Sequence, residues 1–465
     1  MSGKTSTTAS LKLNVEGSAT SSANSVSRCV LITLSVISDR SFSPIRILSG
    51  IYAGESLPYN LASFFSLKES LMLEQLSVLS PDPILGLAAA CRADPNPNKI
   101  DLTVGVYMDE DGICPVFEAV KKAQAELVAE EVTKAYLPAA GDVAYLTGMK
   151  TLVFGDELVG DGMHITAVQT PGGCGALRIA SEVLAAASPD ATVWISNPTW
   201  PVHIPLMGSV GLKFATYSYY DPVSHGVDFS NMVDDLKDAK SGDVVLLHGC
   251  CHNPSGADLT LEPWSVVADM AIEQGFTVLV DLAYQGMGHG LTEDVAGLRL
   301  LASRLGELIV AASCSKNLGL YRERTGVALF FGKDTQTAVA TQSHGLGAAR
   351  RVYSMPPAHG ALLAGRVLST PALRSSWEAE LSQICRRMIS LRTELSNRLS
   401  AKTGQDFSFI ARENGMFSFL GLSTEQAQSL RKERGLYMLD SSRINVAALN
   451  DHNMDIVVDA VASVL

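Results

Sequence analysis

Although the chain of 465 residues contains eight cysteines, no two of them stand in a Cys-x-x-Cys pair. That absence removes the usual zinc-ribbon and dithiol motifs, and the adjacent Cys250 and Cys251 suit neither a disulfide framework nor a metal site. The thiols therefore read as the reduced cysteines of an intracellular protein, with no metal expected. Basic charge is also scarce. Charged residues make up 18% of the chain and the formal net charge is -12, so the electrostatic footprint of a nucleic-acid binder is missing. No apolar run approaches the roughly 20 residues that cross a bilayer. The run from Val30 to Ile37 is short and broken by Thr33 and Ser35. No internal repeat is found. Small molecules are the expected partners, and no membrane association is expected.

What is present is apolar content enough for a large core, 47% of the residues, and length alone suggests two or three domains. Residues 1 to 71 stand apart, being rich in Ser and Thr, poor in acids and without a clear helical or strand period. They read as a poorly ordered leader or a targeting segment, which leaves the compartment open between cytoplasm and mitochondrion. From Met72 the composition turns globular. Beyond Pro356 the residues Ile384, Met388, Leu391, Leu395 and Leu399 recur at helical spacing and announce a second domain. The expected division is thus 72–112 as an N-terminal arm and part of a small domain, 113–355 as a large domain, and 356–465 as the remainder of the small one.

Within the large part, the runs Val193–Ile195, Val244–Leu247, Phe276–Val280 and Leu308–Ala311 are continuous and apolar, as strands buried on both faces should be. Helical stretches alternate with them, so the fold class expected is α/β with a mostly parallel sheet and helices on both faces. Ligands of such sheets bind beyond the carboxyl ends of the strands. The segments Ser196–Trp200, His248–Gly256, Asp281–Gly286 and Ser313–Lys316 are therefore predicted to converge on one crevice.

That crevice would hold a Lys, an Asp with a nearby Tyr, a Trp, an Asn and hydroxyls, a set that a phosphorylated pyridine aldehyde would use in full. A lysine desolvated at a strand end has a lowered pKa and attacks an aldehyde readily. A buried carboxylate at Asp281 would keep a ring nitrogen protonated, so that the ring can accept an electron pair. Ser313, the Gly172–Gly173 turn ahead of a helix, and Arg324 would take a phosphate.

The phrases DPILGLAAACRADPNPNKIDLTVGVY, QTPGGCGALR, SNPTWP, HGCCHNPSG, DLAYQG, SCSKNLGLYRERTG, PPAHGA and NGMFSFLGL follow one another along the chain. In that order they resemble the aspartate aminotransferase family of fold type I and its aromatic relatives, from about Met72 to Leu465. The resemblance implies pyridoxal 5'-phosphate as cofactor, with Lys316 carrying it and then moving the proton. It implies that Asp281 pairs with the ring nitrogen, that Asn253 and Tyr284 bond the phenolic oxygen, and that Trp200 stacks on the ring. Ser313, Arg324 and the backbone at Gly173 and Cys174 would bind the phosphate, with Tyr136 reaching it from a neighbouring subunit. Arg443 would take the substrate's α-carboxylate, and Arg350, also from the neighbour, its distal carboxylate. Trp200 and Asn253 would also face the substrate, the backbone at Gly105 would lie close to it, and His203 and His248 would stand behind Asp281. A homodimer with shared active sites follows from the two borrowed residues.

Cys174 departs from the family, which usually has Thr or Ser there, and a thiol is the weaker donor. With both arginines present a dicarboxylic amino acid is the default substrate, exchanged with 2-oxoglutarate. An aromatic-amino-acid aminotransferase is the alternative within the class. A binding protein that kept the fold, or another cofactor reaction such as β-decarboxylation, are the alternatives outside it.

Overall fold

The computed structural model describes residues 72–80, 82–160 and 164–465, together with the backbone of three strands in the first 46 residues. It divides into two compact units, Met1–Ser80 and Pro81–Leu465. In the first, Lys12–Ser18 pairs antiparallel with Cys29–Ser35, which pairs antiparallel with Ile45–Arg46. These strands were not expected. The alternation of Leu13 and Val15 with polar residues and the short apolar run from Val30 are the signals for them. The remainder of the proposed leader lies outside the described residues.

The second unit is built on a seven-stranded sheet, in the order His164–Pro171, Thr325–Gly332, Leu308–Ser313, Thr277–Leu282, Val244–His248, Thr192–Asn197, Lys213–Ser218. Thr325–Gly332 is antiparallel to both neighbours and the other six strands are parallel. All four apolar runs expected to be strands are found side by side in it. Their continuous hydrophobicity has a simple cause. Val245 and Leu247 enter an apolar cluster on one face with Trp264, Leu298 and Met149, while Val244 and Leu246 enter another with Leu177, Ile179 and Ala348. Successive strand residues point to opposite faces, so a sheet covered by helices on both sides needs an apolar residue at every position.

A third apolar cluster gathers Leu391, Leu395 and Leu399 with Leu436, Ile444 and Val457 of the C-terminal part and Leu102 of the N-terminal segment. The expected helical stripe lies on the helix Pro371–Thr403, opened by Pro371 in its first turn and closed by Gly404 in the left-handed conformation at φ 74°. Its earlier stripe residues Ile384 and Met388 belong to the first cluster, so one helix serves two cores. A short strand begins at Phe417, two residues after Gly415, whose φ of 73° an extended strand does not allow. Phe417–Phe419 pairs antiparallel with Arg443–Asn445, and Ile100–Asp101 pairs parallel with Leu436–Tyr437. Among the described residues no helix is long and apolar enough to cross a membrane.

Candidate active site

Four adjacent parallel strands end at one edge of the sheet, and the residues just past their ends surround a cavity of about 200 Å³. Trp200 and Asn253 line it after the strands Thr192–Asn197 and Val244–His248. Asp281 and Tyr284 come from the end of the third strand, and Ser313 and Lys316 from the end of the fourth. Gly105, Gly173, Cys174 and Arg324 line it as well. The convergence foreseen from strand ends alone is therefore what the fold produces.

The Lys316 ammonium nitrogen lies 4.8 Å from the centre of the Tyr284 ring. Among the described residues no hydrogen bond or ion pair engages it. Burial, helped by Arg324, lowers its pKa against the opposing pull of Asp281 and Cys174. A desolvated amine without a fixed partner is available as a nucleophile or base.

Asp281 is held the other way. Burial would raise its pKa, but the hydrogen bond from His203 and the nearby charges hold the carboxyl below its usual range. His203 Nε2 stands 3.2 Å from Asp281 Oδ2, and Thr199 Oγ1 lies 2.8 Å from His203 Nδ1 and 3.2 Å from His248 Nε2. Burial drives His248 down to about 3, so at neutral pH it is an uncharged ring. Lys316 and the His203 contact are then what favour the ionised aspartate. The chain of rings continues past the expected pair. His252 packs 4.2 Å from His248 and is fixed by Ser196 at 3.0 Å and Ser255 at 2.8 Å.

At the cavity's other end, the helix Gly172–Ala187 begins after Pro171 with no side chain capping its first N-H groups. Those groups carry the positive end of the helix dipole. Ser313 Oγ donates to Ser315 Oγ at 3.0 Å, and Arg324 donates to Ser315 Oγ at 3.3 Å and to the Tyr321 carbonyl at 3.0 Å, with no carboxylate partner among the described residues. Gly172 has φ 70°, and a Cβ there would come within 2.5 Å of Arg324 Nη2. Uncapped N-H groups, hydroxyls and an unpaired guanidinium around a glycine turn form a donor set suited to a dianion. The residues present thus fit a phosphorylated pyridine aldehyde at both ends.

Arg443 is 1% exposed and donates to Asn253 Oδ1 at 3.2 Å and to the Thr103 carbonyl at 2.6 Å, while its Nε is buried without a partner. Its guanidinium lies 4.2 Å from the Phe417 ring centre, and burial lowers its pKa to about 10. A buried cation with no anion among the described residues is costly on its own and suits an incoming carboxylate. Gly105 lines the same cavity and packs too close to Phe417 for a side chain, since a Cβ there would fall 2.5 Å from Phe417 Cζ.

Two expected residues are not brought to the cavity within one chain. Tyr136 is 89% exposed, and Arg350 is an exposed residue of the helix Thr335–Val352 bonded to the Ser354 hydroxyl. Ser315, Tyr321, Thr199 and His252 were missed. Ser315 stood inside the Ser-x-Ser-Lys string and Thr199 beside Trp200, so both carried a signal. Tyr321, whose hydroxyl accepts from Tyr107 N at 3.1 Å, carried none.

The sheet, the amine and the carboxylate at its edge, and the anion cradle define a fold type I enzyme. Residues 97–461 match the family model described as aminotransferase class I and II, and the chain belongs to this pyridoxal-phosphate-dependent family of aminotransferases. The aromatic-amino-acid aminotransferase of Paracoccus denitrificans is 46% identical over 394 residues, covering 84% of this chain and 100% of that protein. The aspartate aminotransferase of Escherichia coli (strain K12) is also 46% identical, over 397 residues, covering 85% and 100%. A solved aromatic-amino-acid aminotransferase from Burkholderia pseudomallei, covalently bound to pyridoxal phosphate, matches with a TM-score of 0.83 at 38% identity, over 85% of this chain and 99% of that one.

Proposed function

We propose that this aminotransferase binds pyridoxal 5'-phosphate and exchanges the amino group of L-aspartate with 2-oxoglutarate, giving oxaloacetate and L-glutamate. The observation that carries the reading is the buried Arg443, whose guanidinium has no acidic partner among the described residues and bonds Asn253, a residue that lines the Lys316 cavity. When bound, the cofactor supplies an aldehyde for the amino group and a protonated ring that takes up the electron pair released at the substrate's α-carbon.

The chain's own residues do the rest. Lys316 Nζ would hold the cofactor's aldehyde and, once released by the incoming amine, would be the base that moves the proton at the substrate's α-carbon. Asp281 keeps the ring nitrogen protonated, and His203, with Thr199 and His248 behind it, keeps Asp281 ionised and oriented. Asn253 and Tyr284 donate to the phenolic oxygen, and Trp200 covers one ring face. Ser313, Arg324 and the N-H groups of Gly173 and Cys174 hold the phosphate, joined by Tyr136 of a second copy of the chain. Arg443 clamps the α-carboxylate in a planar fork, and Arg350, also lent by the second copy, takes the distal one. The exposure of Tyr136 and Arg350 in one chain supports that shared arrangement. We also keep the large domain at 113–355 and the small one at 356–465 with 72–112, a division supported by the separate apolar cluster around Leu391, Leu395 and Leu399. A cytoplasmic location is in keeping with the bacterial relatives, which lend no support to the mitochondrial alternative.

The second reading, a preference for tyrosine or phenylalanine, is favoured by the equal identity to the Paracoccus aromatic enzyme. A panel of amino acids with 2-oxoglutarate as acceptor decides between them. Aspartate should have the highest kcat/KM; a higher value for phenylalanine or tyrosine would overturn the first reading in favour of the second.

A further inference from the structure

Lys316 and Tyr321 line the catalytic cavity from one loop, and Gly105 lines it from a distant stretch of chain. The segment Thr103–Met108 that carries Gly105 lies outside any helix or strand. Side chains and backbone of the C-terminal part fasten it. Arg443 donates to the Thr103 carbonyl at 2.6 Å, and Asn445 Nδ2 donates to the carbonyls of Val104 at 2.7 Å and Val106 at 2.8 Å. Arg387 donates to the Met108 carbonyl at 3.0 Å, and Met108 N donates to the Ala447 carbonyl at 3.1 Å. One hydrogen bond goes elsewhere. Tyr107 N donates to the Tyr321 hydroxyl at 3.1 Å, and among the described residues this is the bond that ties the segment to the loop carrying Lys316.

Tyr107 is buried, and its N-H has no other acceptor among the described residues. A shielded N-H that loses its acceptor costs more than an ordinary hydrogen bond gains, so this contact resists being broken. Burial also pushes the Tyr321 hydroxyl's pKa up, which keeps it neutral and able to accept. We propose that Tyr321 is a positioning residue, whose hydroxyl holds the Tyr107 N-H and thereby sets how closely the Gly105 backbone approaches a substrate in the Lys316 cavity. The inference rests on the reading of this cavity as the substrate site and adds a determinant of substrate affinity to it.

Two consequences separate this role from a purely structural one. Tyr321 acts through backbone that meets every substrate, so dicarboxylic and aromatic amino acids should feel its loss alike. It acts on the approach of the substrate and not on the proton carrier, so KM should move much more than kcat.

The test combines hydrogen exchange with steady-state kinetics on the holoenzyme and on Tyr321→Phe, which keeps the ring and removes the acceptor. In the parent the Tyr107 amide should exchange slowly, and in the variant faster on the order of tenfold or more, while the Asn445 amide is unchanged. KM should rise on the order of tenfold for aspartate and for phenylalanine, with cofactor affinity by equilibrium dialysis unaltered. A freely exchanging Tyr107 amide in the parent overturns the proposal without any variant, so the test stays decisive if Tyr321→Phe fails to fold. An amide that the variant leaves protected overturns it too. A loosened amide with KM unchanged for both substrates shows that the segment does not set substrate affinity, and a loss of cofactor affinity with KM unchanged places Tyr321 on the cofactor side; either result overturns the proposal. If phenylalanine proves to be the preferred substrate, the aspartate reading fails and this test still stands, because both its exchange and its KM arms are read without reference to that preference.

Discussion

Arg443 donates from Nη1 to Asn253 Oδ1 at 3.2 Å, which ties the buried guanidinium to a residue that lines the cofactor cavity. The same contact links the C-terminal strand Arg443–Asn445 to the loop after the strand Val244–His248. Since every amino acid carries an α-carboxylate, Arg443→Ala should lower kcat/KM for dicarboxylic and aromatic substrates alike. A truncated charge pair of this kind costs ~2 to 5 kcal/mol, or on the order of 10² to 10³ in rate. A loss confined to one substrate class would contradict the assignment.

Lys316→Ala should abolish transamination and leave the fold intact, because among the described residues the amine makes no hydrogen bond that would be lost. Loss of a positioned proton carrier alone costs about 10²- to 10⁴-fold, and loss of the covalent anchor adds to that. Circular dichroism and the melting temperature should match the parent. Activity within about tenfold of the parent would remove Lys316 from its role.

Much of this site was legible because the strands that carry it are buried on both faces and end in polar residues. Asp281, Asn253 and Lys316 each follow a run whose hydrophobicity marks it as a central strand, so position and chemistry could be read together. The histidine chain was half legible. His248 stood at a strand end and His203 a few residues past another, but His252 joins them through packing against His248 and Tyr219 and bonds to Ser196 and Ser255, which leave no trace in spacing. Tyr321 likewise enters the cavity through the course of a loop. The leader strands escaped because a brief alternation at Leu13 and Val15 and one short apolar run from Val30, weighed only against the length of a membrane span, stand in a Ser- and Thr-rich stretch without a sustained period. Arg443 could be placed only by resemblance, since nothing in a short strand near the C-terminus says which cavity it faces.

Cys174 sits at the start of the uncapped helix and lines the cavity where a hydroxyl would donate to a phosphate. Burial raises its pKa, so the thiol stays neutral and adds no charge against an anion. Cys174→Ser should gain one hydrogen bond, worth about 0.5 to 1.5 kcal/mol, and tighten cofactor binding roughly two- to tenfold. Equilibrium dialysis of the apoenzyme measures this without reference to turnover. Equal or weaker binding by the serine variant would mean that the thiol is not a deficit.

The buried neutral histidines should make the protein sensitive to mild acid. His248 is held down to about 3, whereas an unfolded histidine titrates near its ordinary 6.5. Below that value the unfolded chain takes up a proton that the native ring refuses, so native stability falls as the pH drops. The slope is about 1.4 kcal/mol per pH unit for each such ring, or about 2 kcal/mol between pH 6.5 and 5. His252 is lowered in the same direction by burial, so His248→Gln should remove about one histidine's share of the slope and leave the other. Urea unfolding across this range reads it. An unchanged slope in the variant would show that His248 does not carry the effect.

Among the described residues the Arg350 side chain bonds only the Ser354 hydroxyl, and it lies exposed on a helix that does not line the cavity of its own chain. If it serves the cavity of a second copy, it should grip the distal carboxylate of aspartate and be indifferent to an aromatic side chain. Arg350→Ala should then lower kcat/KM for aspartate on the order of 10²- to 10³-fold and affect phenylalanine much less, shifting selectivity toward the aromatic. Arg443→Ala, which should harm both equally, is the control. Sharing can be tested separately. Mixing Arg350→Ala with Lys316→Ala subunits should restore aspartate activity, because in hybrid dimers one of the two cavities holds both native residues. Hybrids as inactive as their parents, with subunit exchange verified by mass, would rule out a role across the subunit boundary. Equal damage to aspartate and phenylalanine in Arg350→Ala would rule out the distal carboxylate as its target.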